Sequence, residues 1–107
     1  MGSLKMSEWS FLTNHGLVLS LISKQPKITG LELSKAVGIT ERAVRKVIAE
    51  LDAAGYIKKK KEGRRIRYRI NPDLCLRHES HQEIAIGDFL EALGWKRRRS
   101  KNRTIDI

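Results

Sequence analysis

The sequence predicts a mainly α domain flanked by a small β-hairpin, an α+β architecture ordered helix, short strand, helix, helix, two hairpin strands, helix. Three observations predict it. Apolar residues recur at helical spacing in four segments, and the turn Gly38-Ile39-Thr40 separates two of them. Residues 56–70 alternate with period two around Glu62-Gly63, the signature of a half-buried hairpin.

Thr13 precedes a helix over 14–24, in which Leu17, Val18, Leu21 and Ile22 share one apolar face and Leu19 lies off it. A helix apolar on most sides belongs at the centre of a core. Pro26 ends it. Thr29 opens a second helix, and Glu32 three residues on completes capping-box spacing. Leu33, Ala36 and Val37 form its inner face, and Gly38 closes it. Gly38 is free to take positive φ and Thr40 to cap the next segment, so the pair forms a helix-turn-helix unit.

The third helix runs over 40–54 and stops at Gly55. A rotation of about 100° per residue puts Val44, Val47, Ile48 and Leu51 on one stripe. Arg42, Lys46, Ala49 and Ala53 fall opposite, with Arg45 on the flank and Glu41, Glu50 and Asp52 toward the sides. Small residues between cations let such a helix approach base edges closely. The hairpin follows at once. Ile57, Ile66, Tyr68 and Ile70 point inward, and Arg65, Arg67 and Arg69 point outward. Eight cations (Lys58 to Lys61, Arg64, Arg65, Arg67, Arg69) face one acid, Glu62. Like charges opposed across a ribbon cost stability unless an external anion or water relieves them. Protection of an exposed edge explains one or two such lysines, not all eight cations. Beyond the hairpin, Ser80 and Glu83 repeat capping-box spacing and begin a fourth helix ending near Gly94. Ile86, Phe89, Leu90 and Leu93 are its stripe, with Ile84 opposite.

At 107 residues the chain is one domain with a modest core. The hairpin and the tail 96–107 together carry more than the whole net charge of +10. Clustered basicity calls for a polyanionic partner, and without a long amphipathic basic helix that partner is nucleic acid rather than a membrane surface. The lone Cys75 forms no intrachain disulfide and suits a reducing, cytoplasmic setting. No apolar run approaches the roughly 18 residues of a membrane span, and residues 1–6 lack a signal peptide's apolar region. Cys75, His78 and His81, with Glu79 and Glu83 nearby, come closest to a metal set, but a single cysteine in a connecting segment falls short. No metal or cofactor is expected. Without a Gly-rich phosphate loop, a Ser/His/Asp set or paired carboxylates in apolar surroundings, neither is catalysis.

These residues match a family pattern. Ile28-Thr29 through Gly38-Ile39-Thr40, the segment Leu51 to Ile57, and the ribbon Lys61 to Ile70 resemble prokaryotic winged helix-turn-helix transcriptional regulators, MarR-like and ArsR-like. The resemblance covers roughly residues 9–93. It implies a sequence-specific, dimeric DNA-binding regulator, a repressor, with helix 40–54 in the major groove and wing 58–69 on the flanking minor groove or phosphates. It further implies that Thr40 donates to a phosphate, Arg42 reads guanine, Lys46 meets a base or phosphate and Arg45 a phosphate. Lys61, Arg64 and Arg65 would serve the wing, while Arg67 and Arg69 position rather than specify. Trp9, Phe11, Ile84 and Trp95 would supply a homodimer interface. No small-molecule effector pocket is evident. A non-specific DNA- or RNA-binding winged domain and a protein-interaction module are the alternatives. The expected organisation is an extension over 1–12 (part expression scar, part dimer contact), the DNA-binding domain over 13–79, a core and dimerisation helix over 80–95, and a basic disordered tail over 96–107.

Overall fold

Four helices and one hairpin make up the computed structural model, which describes residues 11–77 and 79–96. Helix α1 spans Asn14–Lys24, α2 Gly30–Val37 and α3 Glu41–Ala53. Strands β1 (Ile57–Glu62) and β2 (Arg65–Ile70) pair antiparallel, and helix α4 spans Ile86–Ala92. Each of the first three helices starts where a threonine hydroxyl accepts a backbone N–H: Thr13 from Gly16, Thr29 from Glu32, Thr40 from Ala43. The capping box at α2 is complete, since Glu32 accepts the Thr29 N–H at 2.9 Å. That bond, with the Thr29 hydroxyl's, holds the Glu32 carboxyl below its ordinary range.

The core gathers Val18, Leu19 and Ile22 from α1, Leu33 from α2, and Val44, Val47, Ile48 and Leu51 from α3. Ile57, Tyr56 and Tyr68 join it from the wing and Ile86 and Leu90 from α4. Leu19, expected off the apolar face, is buried because α1 packs on α2 and α3 and also on β2. Ala36, expected on the inner face of α2, is exposed, and Ser34 is buried in its place with its hydroxyl donated to Leu31 O. Ile66, expected to point inward, is also exposed.

The anticipated short strand before α2 does not form among the described residues, where the sheet has two strands. A single bond stands in its place, the Tyr68 N–H donating to Pro26 O at 2.9 Å. Proline brings a carbonyl but no N–H, so it cannot build a two-way ladder at that point. The fourth helix begins five residues later than Ser80 suggests. Cys75 bridges Ala85, Leu76 N–H donates to Ile84 O, and Ile86 N–H donates to Leu74 O. These bonds hold Ala85 extended, so α4 starts at Ile86 without a side-chain cap. Ser80 instead pairs with His81 Nδ1 at 2.7 Å, within a short 3-10 turn over Glu79–His81.

Candidate nucleic-acid interface

Helix α3 divides cleanly. Its core stripe is buried, while Arg42, Arg45, Lys46, Ala49 and Ala53 are all exposed, and no acid pairs with the three cations among the described residues. Thr40 fixes the start of the helix at the exposed end of this face. Its hydroxyl oxygen accepts the Ala43 N–H, which leaves the hydroxyl proton to be donated outward. Two acids on the flanks are engaged inside the molecule: Glu50 contacts His15 Nε2 at 2.6 Å, and Asp52 lies 3.7 Å from Lys59 Nζ. Such exposed pairs add little stability, but they turn negative charge away from the helix's outward face.

The wing is anchored to this helix. Gly55, at φ +91°, lets the chain reverse after α3: Tyr56 N–H returns to Leu51 O and Gly55 N–H to Asp52 O, a Schellman closure. Tyr56 then donates its buried hydroxyl to Cys75 O at 2.6 Å, and burial raises its pKa. At the tip Gly63 takes φ +65° and Arg64 stays at negative φ, the pattern of a II′-type two-residue loop. That loop sets the register. Glu62 faces Arg65, Lys60 faces Arg67 and Lys58 faces Arg69, so these six share the outer side of the ribbon. Lys59 and Lys61 sit opposite Tyr68 and Ile66, on the side that packs toward the body.

Every expected DNA-contacting residue is exposed, but they divide between surfaces. Arg42, Arg45 and Lys46 lie on α3, Lys61 on the inner side near the tip, Arg64 in the tip, and Arg65, Arg67 and Arg69 on the outer side. Two of these are already held. Arg65 Nη1 donates to Lys27 O at 3.0 Å, and Arg67 Nε approaches Glu62 at 3.5 Å. Glu62 also takes Lys27 Nζ at 3.2 Å, which holds its carboxyl below the ordinary range. The tip is thus tied to the loop between α1 and α2. Lys58 and Lys60 share this charged surface and Lys27 joins it from the loop, all three outside the expected contact residues. The two-residue turn was the signal for the first two, because it dictates which residues stand opposite Arg67 and Arg69.

Of the expected dimer residues, Phe11 is 92% and Ile84 43% exposed, and Trp95 is half-buried against the core. Trp9 and most of the basic tail lie outside the described residues, as does His78. Cys75 is exposed, and no three His, Cys, Asp or Glu side chains converge among the described residues. No helix there is long and apolar enough to cross a membrane.

Residues 12–58 match the family model described as winged helix-turn-helix DNA-binding. No curated protein matches the chain significantly. Among solved structures it is similar to a predicted DNA-binding transcriptional regulator from E. coli, with TM-score 0.51 and 22% identity over 72% of this chain and 70% of that one. It is also similar to the MarR protein from Peptoclostridium difficile, with TM-score 0.49 and 25% identity over 65% of this chain and 48% of that one. MepR, a transcription regulator of the Staphylococcus aureus multidrug efflux pump MepA, gives TM-score 0.49 and 18% identity, covering 65% and 54% of the two chains. The chain therefore spans about half the length of the last two.

Proposed function

We propose that this chain, whose residues 12–58 match a winged helix-turn-helix DNA-binding family, is a MarR-like, sequence-specific transcriptional regulator that acts as a dimeric repressor. One observation carries the reading: the face of α3 opposite the core is fully turned to solvent and bears Arg42, Arg45 and Lys46 around two alanines. A helix of this width fits the major groove, where arginine pairs with guanine through two hydrogen bonds. Arg42 reads the base, Lys46 a base or phosphate, and Arg45 a phosphate. The Thr40 hydroxyl donates to a phosphate at the helix N-terminus, where backbone N–H groups and the dipole favour an anion.

The wing tip supplies the second contact. Lys61, Arg64 and Arg65 reach the flanking minor groove or its phosphates, and the bond from Arg65 to Lys27 O holds that guanidinium in place beforehand. A two-fold dimer built from Trp9, Phe11 and Ile84 doubles these contacts on half-sites about one helical turn apart. Occupying a promoter in this way blocks transcription without any chemistry by the protein.

Selection from a random duplex pool at near-physiological salt tests the proposal. A palindromic consensus is expected, together with a dimer in sedimentation at micromolar concentration. Duplex binding without sequence preference would leave only a general nucleic-acid binder, and no duplex binding at all would remove the reading.

A further inference from the structure

A groove of about 770 Å³ lies beside β2, between the C-terminal ends of α1 and α4. It is built from elements other than α3, which packs against β1 on the opposite edge of the hairpin. Its rim carries Lys24, Arg67, Arg69 and Lys96, and none of its lining residues is acidic. Its floor is apolar and includes Trp95, Pro26, Pro72 and Ile70. Lys24 crosses the space between the two helix ends: its ammonium lies 3.8 Å from where a Cβ on Gly94 would stand.

The plain structural roles of these cations do not account for the set. Lys24 can offset the negative pole at the end of α1. Arg67 and Arg69, however, come from a strand and stand directly opposite Lys60 and Lys58, an arrangement that costs stability. No acid among the described residues pairs with Lys24, Arg69 or Lys96. Cations alone would suit any phosphate, whereas cations around an apolar floor with an indole suit a phosphate joined to a flat ring. The volume lies within the range of small-ligand sites, about 300–1,000 Å³.

We propose that this groove binds an unpaired nucleotide unit, the base lying on the floor at Trp95 and the phosphate held between Lys24, Arg67, Arg69 and Lys96. The unit comes either from single-stranded nucleic acid or from a free nucleotide. The site is separate from the duplex-reading face of α3, so its test does not depend on that reading.

A Trp9→Phe variant, which leaves Trp95 as the sole indole, is titrated by fluorescence at about 0.15 M salt with oligo(dT) 12-mer, a thymidine mononucleotide and inorganic phosphate. Anisotropy of labelled oligo(dT) on the unaltered chain repeats the measurement without the substitution. Saturable quenching is expected. Preference for the oligomer assigns a strand as the source, and equal affinity for the mononucleotide assigns a free nucleotide. Lys24→Glu with Lys96→Glu should weaken the oligo(dT) complex at least tenfold and duplex binding by much less, because both lysines line the groove and neither belongs to α3. Arg42→Ala with Lys46→Ala should do the reverse. Phosphate alone competing as well as the nucleotide, or the Lys24/Lys96 pair weakening duplex and single strand equally, would overturn the proposal, as would an absence of quenching and anisotropy change. Loss of duplex binding alone would count only against the transcriptional reading.

Discussion

Replacing Arg42 by alanine separates base reading from charge attraction. Arg42 is exposed in the first turn of α3, takes no part in the Thr40 cap and pairs with no acid among the described residues. Alanine is the better helix former, so stability should change by no more than about 0.5 kcal/mol. A two-bond contact to guanine is worth about 1–3 kcal/mol of discrimination, or about 5- to 150-fold in affinity for the cognate site over one changed at that base pair. A phosphate contact behaves differently. Its loss weakens all duplexes alike and lowers the slope of log affinity against log salt by about 0.9. The assay is fluorescence anisotropy on the selected duplex and its single-position variants at several salt concentrations, with Arg45→Ala in parallel. Arg42→Ala should erase preference at one position per half-site, and Arg45→Ala should lower affinity uniformly. If both give the same uniform loss, α3 supplies charge rather than sequence reading. If neither changes binding, the outward face of α3 is not the contact surface.

Three other perturbations test how the interface is held. Thr40→Ala removes the bond from Ala43 N–H and should cost about 1 kcal/mol, a fall of about 4–8 °C in a thermal melt followed by circular dichroism. Ile57→Ala empties a site 1% exposed where the wing meets the core. A loss of about 2–5 kcal/mol in denaturant unfolding is expected, against a total of about 5–15 for a typical domain. The tie at the wing tip should depend on pH. Lys27 and Arg67 hold the folded Glu62 carboxyl below the ordinary value of 4.5, so its stabilisation is fully present above 4.5 and is lost as pH falls through the lower folded value. A carboxyl NMR titration should place the Glu62 midpoint below 4.5, and Lys27→Ala should move it upward. A midpoint at the ordinary value would mean the tie does not persist in solution.

The parts of the fold legible in the sequence are those that local chemistry decides. Thr13, Thr29 and Thr40 each cap the helix that follows, because a hydroxyl one residue ahead of a helix has orphan N–H groups within reach. The stripe Val44, Val47, Ile48 and Leu51 is buried as its spacing requires. Elsewhere a distant partner decided. Ser80 and Glu83 offer as good a local cap as Thr29 and Glu32, yet no α-helix starts at Ser80, because strand-like bonds to Leu74 and Leu76 hold Ala85 extended. Leu19 is buried although helix periodicity alone leaves its side to solvent, in a helix that packs on α2, α3 and β2.

The same division runs through the wing. Alternation identified the outward arginines, but a strand read by itself does not show what lies across from it. Once the II′-type loop fixes the pairing, Lys58 and Lys60 join Arg67 and Arg69, and the outer side becomes a row of opposed like charges relieved only toward the tip by Glu62. Because the register fixes these pairs, water screens the exposed cations in the free protein, and a polyanion bound along the outer surface is attracted by the whole row. The inner side carries Lys59 and Lys61 toward α3, where Asp52 already takes up Lys59. Two surfaces with different electrostatic needs therefore sit back to back on one ribbon. The side continuous with α3 is the one proposed to meet a duplex, and on the side bordering Trp95 and Lys24 no acid among the described residues pairs with Lys24, Arg69 or Lys96.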